Sequence, residues 1–117
     1  MKILLADDEP NVRRLYSQML EGNGYGIEIA IDGKEALDTA VAGTFDLLIL
    51  DLNMPRLDGF EVMSGLKEAG KVLPVIVMTG HFPEQVVEDR LEGLQVVEVL
   101  RKPVMITTLL NAVKRVI

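Results

Sequence analysis

The sequence predicts a doubly wound α/β domain, a five-stranded parallel sheet in the order 2-1-3-4-5 with five helices. Three observations predict it. Five short apolar runs rich in β-branched residues alternate with five longer stretches of helical period. The alternation runs unbroken through all 117 residues, without a repeat, a low-complexity segment or a linker. The second apolar run alternates apolar and polar residues, the pattern of a strand with one wet face at a sheet edge.

The first strand is Lys2–Ala6 (KILLA). A helix over Pro10–Glu21 follows, with Val12, Leu15, Met19 and Leu20 on one stripe and Pro10 in a first turn, where its missing N–H costs nothing. Gly26–Ile31 (GIEIAI) is the alternating edge strand, with Ile27, Ile29 and Ile31 on one side. Asp32 then caps a second helix, with Glu35 placed as in a capping box, Ala36, Leu37, Ala40 and Val41 facing inward, and Gly43 as the stop. Asp46–Leu50 (DLLIL) and Pro74–Met78 (PVIVM) have the continuous apolar character of strands covered on both faces. Between them, Phe60–Ala69 is helical, with Phe60, Met63 and Leu66 inward and Gly70 at its end. Glu84–Glu92 is the most polar helix, built around Val86, Val87 and Leu91. Val96–Leu100 is the fifth strand, and Val104–Ile117 the last helix, with Ile106, Leu109, Leu110, Val113 and Ile117 inward. Right-handed crossovers leave few topologies for such a chain, and the flavodoxin-like order fits it best.

Composition narrows the function. Hydrophobic residues make up 49% and charged residues 26%, a globular balance, and only 4% is aromatic, so the core must be aliphatic. The absence of cysteine excludes disulfides, thiolate metal sites and thiol nucleophiles. Twelve Lys and Arg against 18 Asp and Glu give a net charge of −6, which disfavours direct nucleic-acid binding by this domain. Runs such as Leu47–Leu50 and Val75–Met78 fall far short of the ~20 residues that span a bilayer, so no membrane role is expected. The opening MKILLADDEP turns acidic after five residues, unlike a signal peptide. The expectation is one cytoplasmic domain over residues 1–117.

A parallel sheet gathers the carboxyl ends of its strands on one edge, and ligands bind there at the switch point in strand order. Asp7-Asp8-Glu9 follow the first strand, Asp51 the third, Thr79-Gly80 the fourth and Arg101-Lys102-Pro103 the fifth. Each residue alone has a plain structural explanation: Asp8 or Asp58 as a helix N-cap, Thr79 as an ordinary strand end, Lys102 as a solvated charge. Their convergence on one edge does not. Two carboxylates ~5 Å apart repel by roughly 3 kcal/mol at an effective dielectric of ~20, so the group calls for protons or a cation. Few carboxylates with room for water suit Mg²⁺ better than a calcium cage. Metal, hydroxyl, lysine and carboxylate nucleophile together form a set for phosphoryl transfer.

Four fragments, ILLADDE at 3–9, LILDLNMPRLDGFEV at 48–62, VMTG at 77–80 and RKP at 101–103, resemble a response-regulator receiver domain in their order and domain-filling spacing. The resemblance implies that Asp51 is the phosphoacceptor. Asp8 is then the direct ligand of Mg²⁺ (or Mn²⁺), Asp7 holds the ion through water, and the backbone carbonyl of Asn53 completes the shell. It likewise implies that Thr79 and Lys102 bond phosphoryl oxygens, that Gly80 leaves room for the donor, and that Pro103 follows a cis bond. The implied partners are a sensor histidine kinase or histidine phosphotransfer protein, and a downstream protein or attached output domain. One departure stands out. Receivers usually carry Tyr or Phe three residues before the lysine, and here that position is Val99. The usual relay between threonine and ring is thereby in question, and the signal is expected to pass through Thr79–Pro83 and the polar fourth helix. The lone His81 matches a position flanking the phosphoryl site, or is a plain loop residue.

Three other readings compete. A Mg²⁺-dependent phosphohydrolase would carry a second aspartate two residues after its nucleophile, where this chain has Asn53. A flavin carrier is disfavoured by the lack of Trp and by the acidic edge. A receiver-like binding module that signals without phosphorylation is the principal alternative, kept open by Val99.

Overall fold

The computed structural model describes residues 1–80 and 82–117; the reading of His81 lies outside the described residues. Strands β1 (Lys2–Ala6), β2 (Gly26–Ala30), β3 (Leu47–Asp51), β4 (Val75–Thr79) and β5 (Val96–Arg101) alternate with helices. These are α1 (Pro10–Gly22), α2 (Gly33–Ala42), α3 (Gly59–Glu68), α4 (Glu84–Leu91) and α5 (Ile106–Val116). The sheet order is β2-β1-β3-β4-β5 and every pairing is parallel.

Side chains alternate across a strand, so each central strand feeds two cores. Leu4, Leu48, Leu50, Val75 and Val77 face α2, α3 and α4, where they meet Ala36, Ala40, Phe60, Met63, Leu66, Val87 and Leu91. Ile3, Leu5, Leu47, Ile49, Ile76 and Met78 face α1 and α5, where they meet Tyr16, Leu20, Leu109, Ala112 and Val113. β3 and β4 are buried along their whole length, as their continuous apolar runs require, whereas β2 keeps its wet face at the edge.

Several expectations are corrected. Leu15 is 48% exposed and Tyr16 takes its place against the sheet, because the inward stripe of α1 runs one residue later than its most apolar positions suggest. Val41 and Val86 also lie outward, and Ile31 is exposed beyond the end of β2. β3 and β4 each start one residue later than their apolar runs and end on Asp51 and Thr79, because the ladder continues to those residues. α5 starts at Ile106 rather than Val104. Asp32 does accept a hydrogen bond from Glu35 N, but the reciprocal capping box is at Asp58 and Glu61 on α3.

Register brings the strand ends level. Ala6 pairs with both Ala30 and Leu50, so the residues that follow, Asp7 and Asp51, stand side by side. Asp51 pairs with Met78 and Thr79 with Arg101, which sets Thr79 beside Asp51 and starts the next loop at Lys102. The β4–β5 register shifts at Val75/Ile76, passing over Val97, before Val99 takes its place opposite Val77.

Candidate functional site at the carboxyl edge of the sheet

Asp51 ends β3 with its side chain 1% exposed. Its Oδ1 accepts from the backbone N–H of Asn53 at 2.9 Å, and its Oδ2 accepts from Lys102 Nζ at 2.7 Å. The tight exit from β3 explains this fixed pose. A Cβ on Gly59 would lie 2.7 Å from Leu52 Cα and 3.0 Å from the Asp51 carbonyl oxygen, so only glycine lets α3 begin against that exit. The loop between them is docked on α2 through Gly33 N–H to the Pro55 carbonyl (3.3 Å) and Arg56 to Asp32 (3.7 Å).

Asp7 is equally buried. Its Oδ1 accepts from Glu9 N–H at 2.9 Å, while its Oδ2 is buried without a partner among the described residues. Burial pushes the Asp7 carboxyl up to about 6; the Glu9 N–H opposes this, the Asp51 charge adds to it, and Lys102 and Asp8 exert smaller opposed effects. Asp8 is exposed and does not cap α1, whose N-cap is Glu9 without a side-chain bond. Instead Asp7, Asp8 and Asp51 each offer an oxygen within 4.8 Å of the others.

Three carboxylates at that spacing, one of them with an orphaned buried oxygen, fit a small hard divalent cation. Among the described residues, Asp7, Asp8 and Asp51 are the side chains able to hold it. Lys102 alone leaves the cluster with excess negative charge, and each like-charged pair costs roughly 3 kcal/mol at an effective dielectric of ~20.

Thr79 ends β4 fully buried, and its Oγ1 has no hydrogen-bond partner among the described residues. The carbonyl of Thr79 accepts from Lys102 N–H at 2.8 Å, binding the start of the β5–α5 loop to β4. The Lys102–Pro103 bond is cis. A Cβ on Gly80 would lie 3.3 Å from Lys102 Cβ, so glycine here leaves the lysine stem its room. Asn53 Nδ2 is likewise buried without a partner among the described residues. The six residues singled out in the sequence, Asp7, Asp8, Asp51, Asn53, Thr79 and Lys102, are thus brought to one edge.

Tyr16 escaped the sequence reading. Its hydroxyl donates to the Val104 carbonyl at 2.7 Å, and burial, then the charges of Asp7, Asp51 and Glu9, raise its pKa. The available signal was a phenol within an apolar stripe, since a buried tyrosine hydroxyl needs a partner. Val99 is 41% exposed and lines an open groove of about 390 Å³ between α4 and β5. The nearby aromatic pair is instead Phe82, in the loop after β4, and Phe60 on α3, edge to face at 5.0 Å with Arg90 of α4 over the Phe60 ring at 3.8 Å.

The family model "Response regulator receiver domain" matches residues 3–114. Response regulator MprA of Mycobacterium avium is 44% identical over 94 residues, covering 80% of this chain and 40% of that protein. MprA of Mycobacterium tuberculosis is 43% identical over the same share. The chain therefore spans about 40% of the length of the curated relatives it matches. Among solved structures, the receiver domain of the Francisella response regulator 1452 superimposes with a TM-score of 0.90 at 29% identity, covering 98% of this chain and 94% of that one. Response regulator TrrA of Thermotoga maritima, solved in complex with Mg²⁺-BeF, gives 0.85 at 32% identity, covering 99% and 98%. With this match over nearly its whole length, the chain belongs to the response-regulator receiver domain family.

Proposed function

We propose that this chain is a phosphoacceptor: it takes a phosphoryl group from a phosphohistidine onto Asp51 and switches protein contacts in response. The observation that carries the reading is the pose of Asp51, buried, held by Asn53 N–H and Lys102 Nζ, and flanked by two more carboxylates and an orphaned hydroxyl. Such a carboxylate is fixed for in-line attack before the donor arrives.

In the step, an Asp51 carboxylate oxygen forms a bond to phosphorus as the phosphorus–nitrogen bond of the donor breaks, and the freed imidazole takes up a proton. Mg²⁺ (or Mn²⁺), held by Asp7, Asp8, Asp51 and the Asn53 carbonyl, would supply charge neutralisation. Lys102 follows the leaving negative charge from the carboxylate to a phosphoryl oxygen, and Thr79 Oγ1, unpartnered beforehand, gains an acceptor. Water later cleaves the acyl phosphate and restores Asp51.

The proposed donor is a sensor histidine kinase or histidine phosphotransfer protein in the cytoplasm. The proposed receiver of the signal is a downstream protein or an attached output domain, reached over α4, β5 and α5. Phe82 is the link we favour from Thr79 to α4, since it packs on Phe60 beneath Arg90 while Arg101 Nη1 holds its carbonyl at 3.0 Å. One domain, residues 1–117, carries these functions. The rival reading, a binding module indifferent to phosphate, draws on exposed Val99, which lacks the bulk to move between buried and exposed states.

Intact mass after acetyl phosphate with Mg²⁺ tests the proposal. An adduct of about 80 Da must appear in the wild type and vanish in Asp51→Asn. No adduct would end the phosphoacceptor reading; an adduct without any spectral change at α4 would favour the rival.

A further inference from the structure

We infer that Tyr16 is a positioning residue for Lys102: its hydroxyl holds the loop that aims the lysine at Asp51. This rests on the phosphoacceptor reading and adds a residue to it.

The Lys102 side chain is 33% exposed and long, so its own packing does not aim it; its backbone must. That backbone is clamped on two sides. Lys102 N–H donates to the Thr79 carbonyl at 2.8 Å, and two residues on, the Val104 carbonyl accepts from the Tyr16 hydroxyl at 2.7 Å. Pro103 lies between, its φ fixed by the ring, so one fewer backbone rotation separates the two clamps. Val104 and Tyr16 are both buried in the core on the α1–α5 face, which shields the bond from water.

Tyr16 stands on the helix that also braces the acid side, where Arg13 Nη1 donates to the Asp7 carbonyl at 2.9 Å. One helix thus touches both the strand end bearing the acids and the loop bearing the lysine. A cleft of about 530 Å³ lined by Tyr16, Gly80, Lys102 and Val104 opens directly beside this clamp. If the hydroxyl merely satisfied itself within the core, its loss would weaken folding without touching the phosphoryl site selectively.

The test is titration of purified chain with beryllofluoride and Mg²⁺, followed by NMR, in wild type, Tyr16→Phe, Lys102→Ala and the double variant. Tyr16→Phe should bind beryllofluoride about tenfold more weakly while binding Mg²⁺ alone no more weakly than the wild type. In the Lys102→Ala background it should have no further effect, because two residues acting through one interaction are not additive. Unchanged beryllofluoride affinity in Tyr16→Phe, or an equal loss with and without Lys102, overturns the inference. A wild type that ignores beryllofluoride overturns the phosphoacceptor reading instead. Should Tyr16→Phe fail to fold, the wild type still decides. Its Tyr16 hydroxyl proton must shift with beryllofluoride and not with Mg²⁺ alone; indifference to both overturns the inference.

Discussion

Lys102 and Asp51 meet across a strand: the lysine follows β5, the aspartate ends β3, and Nζ reaches Oδ2 at 2.7 Å past the end of β4. The pair neutralises one of three clustered carboxylates and so competes with any cation for the same charge. Lys102→Ala should therefore bind Mg²⁺ several-fold more tightly, yet be phosphorylated ~100-fold more slowly, because a charged donor to the phosphoryl oxygens is gone. Calorimetric Mg²⁺ titration and phosphorylation kinetics check the two halves. A loss in both, or in neither, contradicts the pairing.

Asp7 makes the metal-free chain sensitive to acid in an unusual direction. Its folded carboxyl titrates at about 6 against an ordinary 3.8. Between those values the folded chain keeps a proton that the unfolded chain has released. Stability from this group is thus fully present below about pH 4 and lost as pH rises through about 6. Asp7→Asn should stabilise the metal-free chain by about 2–3 kcal/mol at pH 7.5, and by almost nothing at pH 4. Urea unfolding of both chains in EDTA measures the difference, and a gain independent of pH would refute the assignment.

Thr79 carries a buried hydroxyl with no partner among the described residues. Exchanging it for a methyl group of similar shape removes a desolvated polar atom, so Thr79→Val should raise stability by about 1 kcal/mol. The same variant should lose the beryllofluoride-induced NMR shifts beyond the site, which Thr79→Ser should keep. If Thr79→Val lowers stability, the hydroxyl has a partner in solution.

Phe82 packs edge-on against Phe60, a contact worth about 1 kcal/mol beyond the area it buries. Phe82→Ala should leave the mass adduct intact while shifts at Val87 and Arg90 on phosphorylation fade. Val99→Ala should change neither. Full propagation in Phe82→Ala would move the route elsewhere.

Local pattern by itself determined much of this molecule. Five β-branched runs, five helical periods and the alternating second run specified element order and sheet order, because burial on one face or two writes itself into neighbouring residues. The acidic, threonine and lysine positions could be assigned from where each strand stops. Which residues of α1 point inward could not: Leu15 and Tyr16 differ by one step on the helix, and only the packing of α1 on β1, β2 and α5 chose the tyrosine. Tertiary structure alone decided the raised pKa of Asp7, the unpartnered hydroxyl of Thr79, the Phe82–Phe60 contact and the Tyr16–Val104 bond, whose partners lie 88 residues apart. Each depends on the distance between side chains carried by different elements and on the water excluded between them. Periodicity within a single segment contains neither.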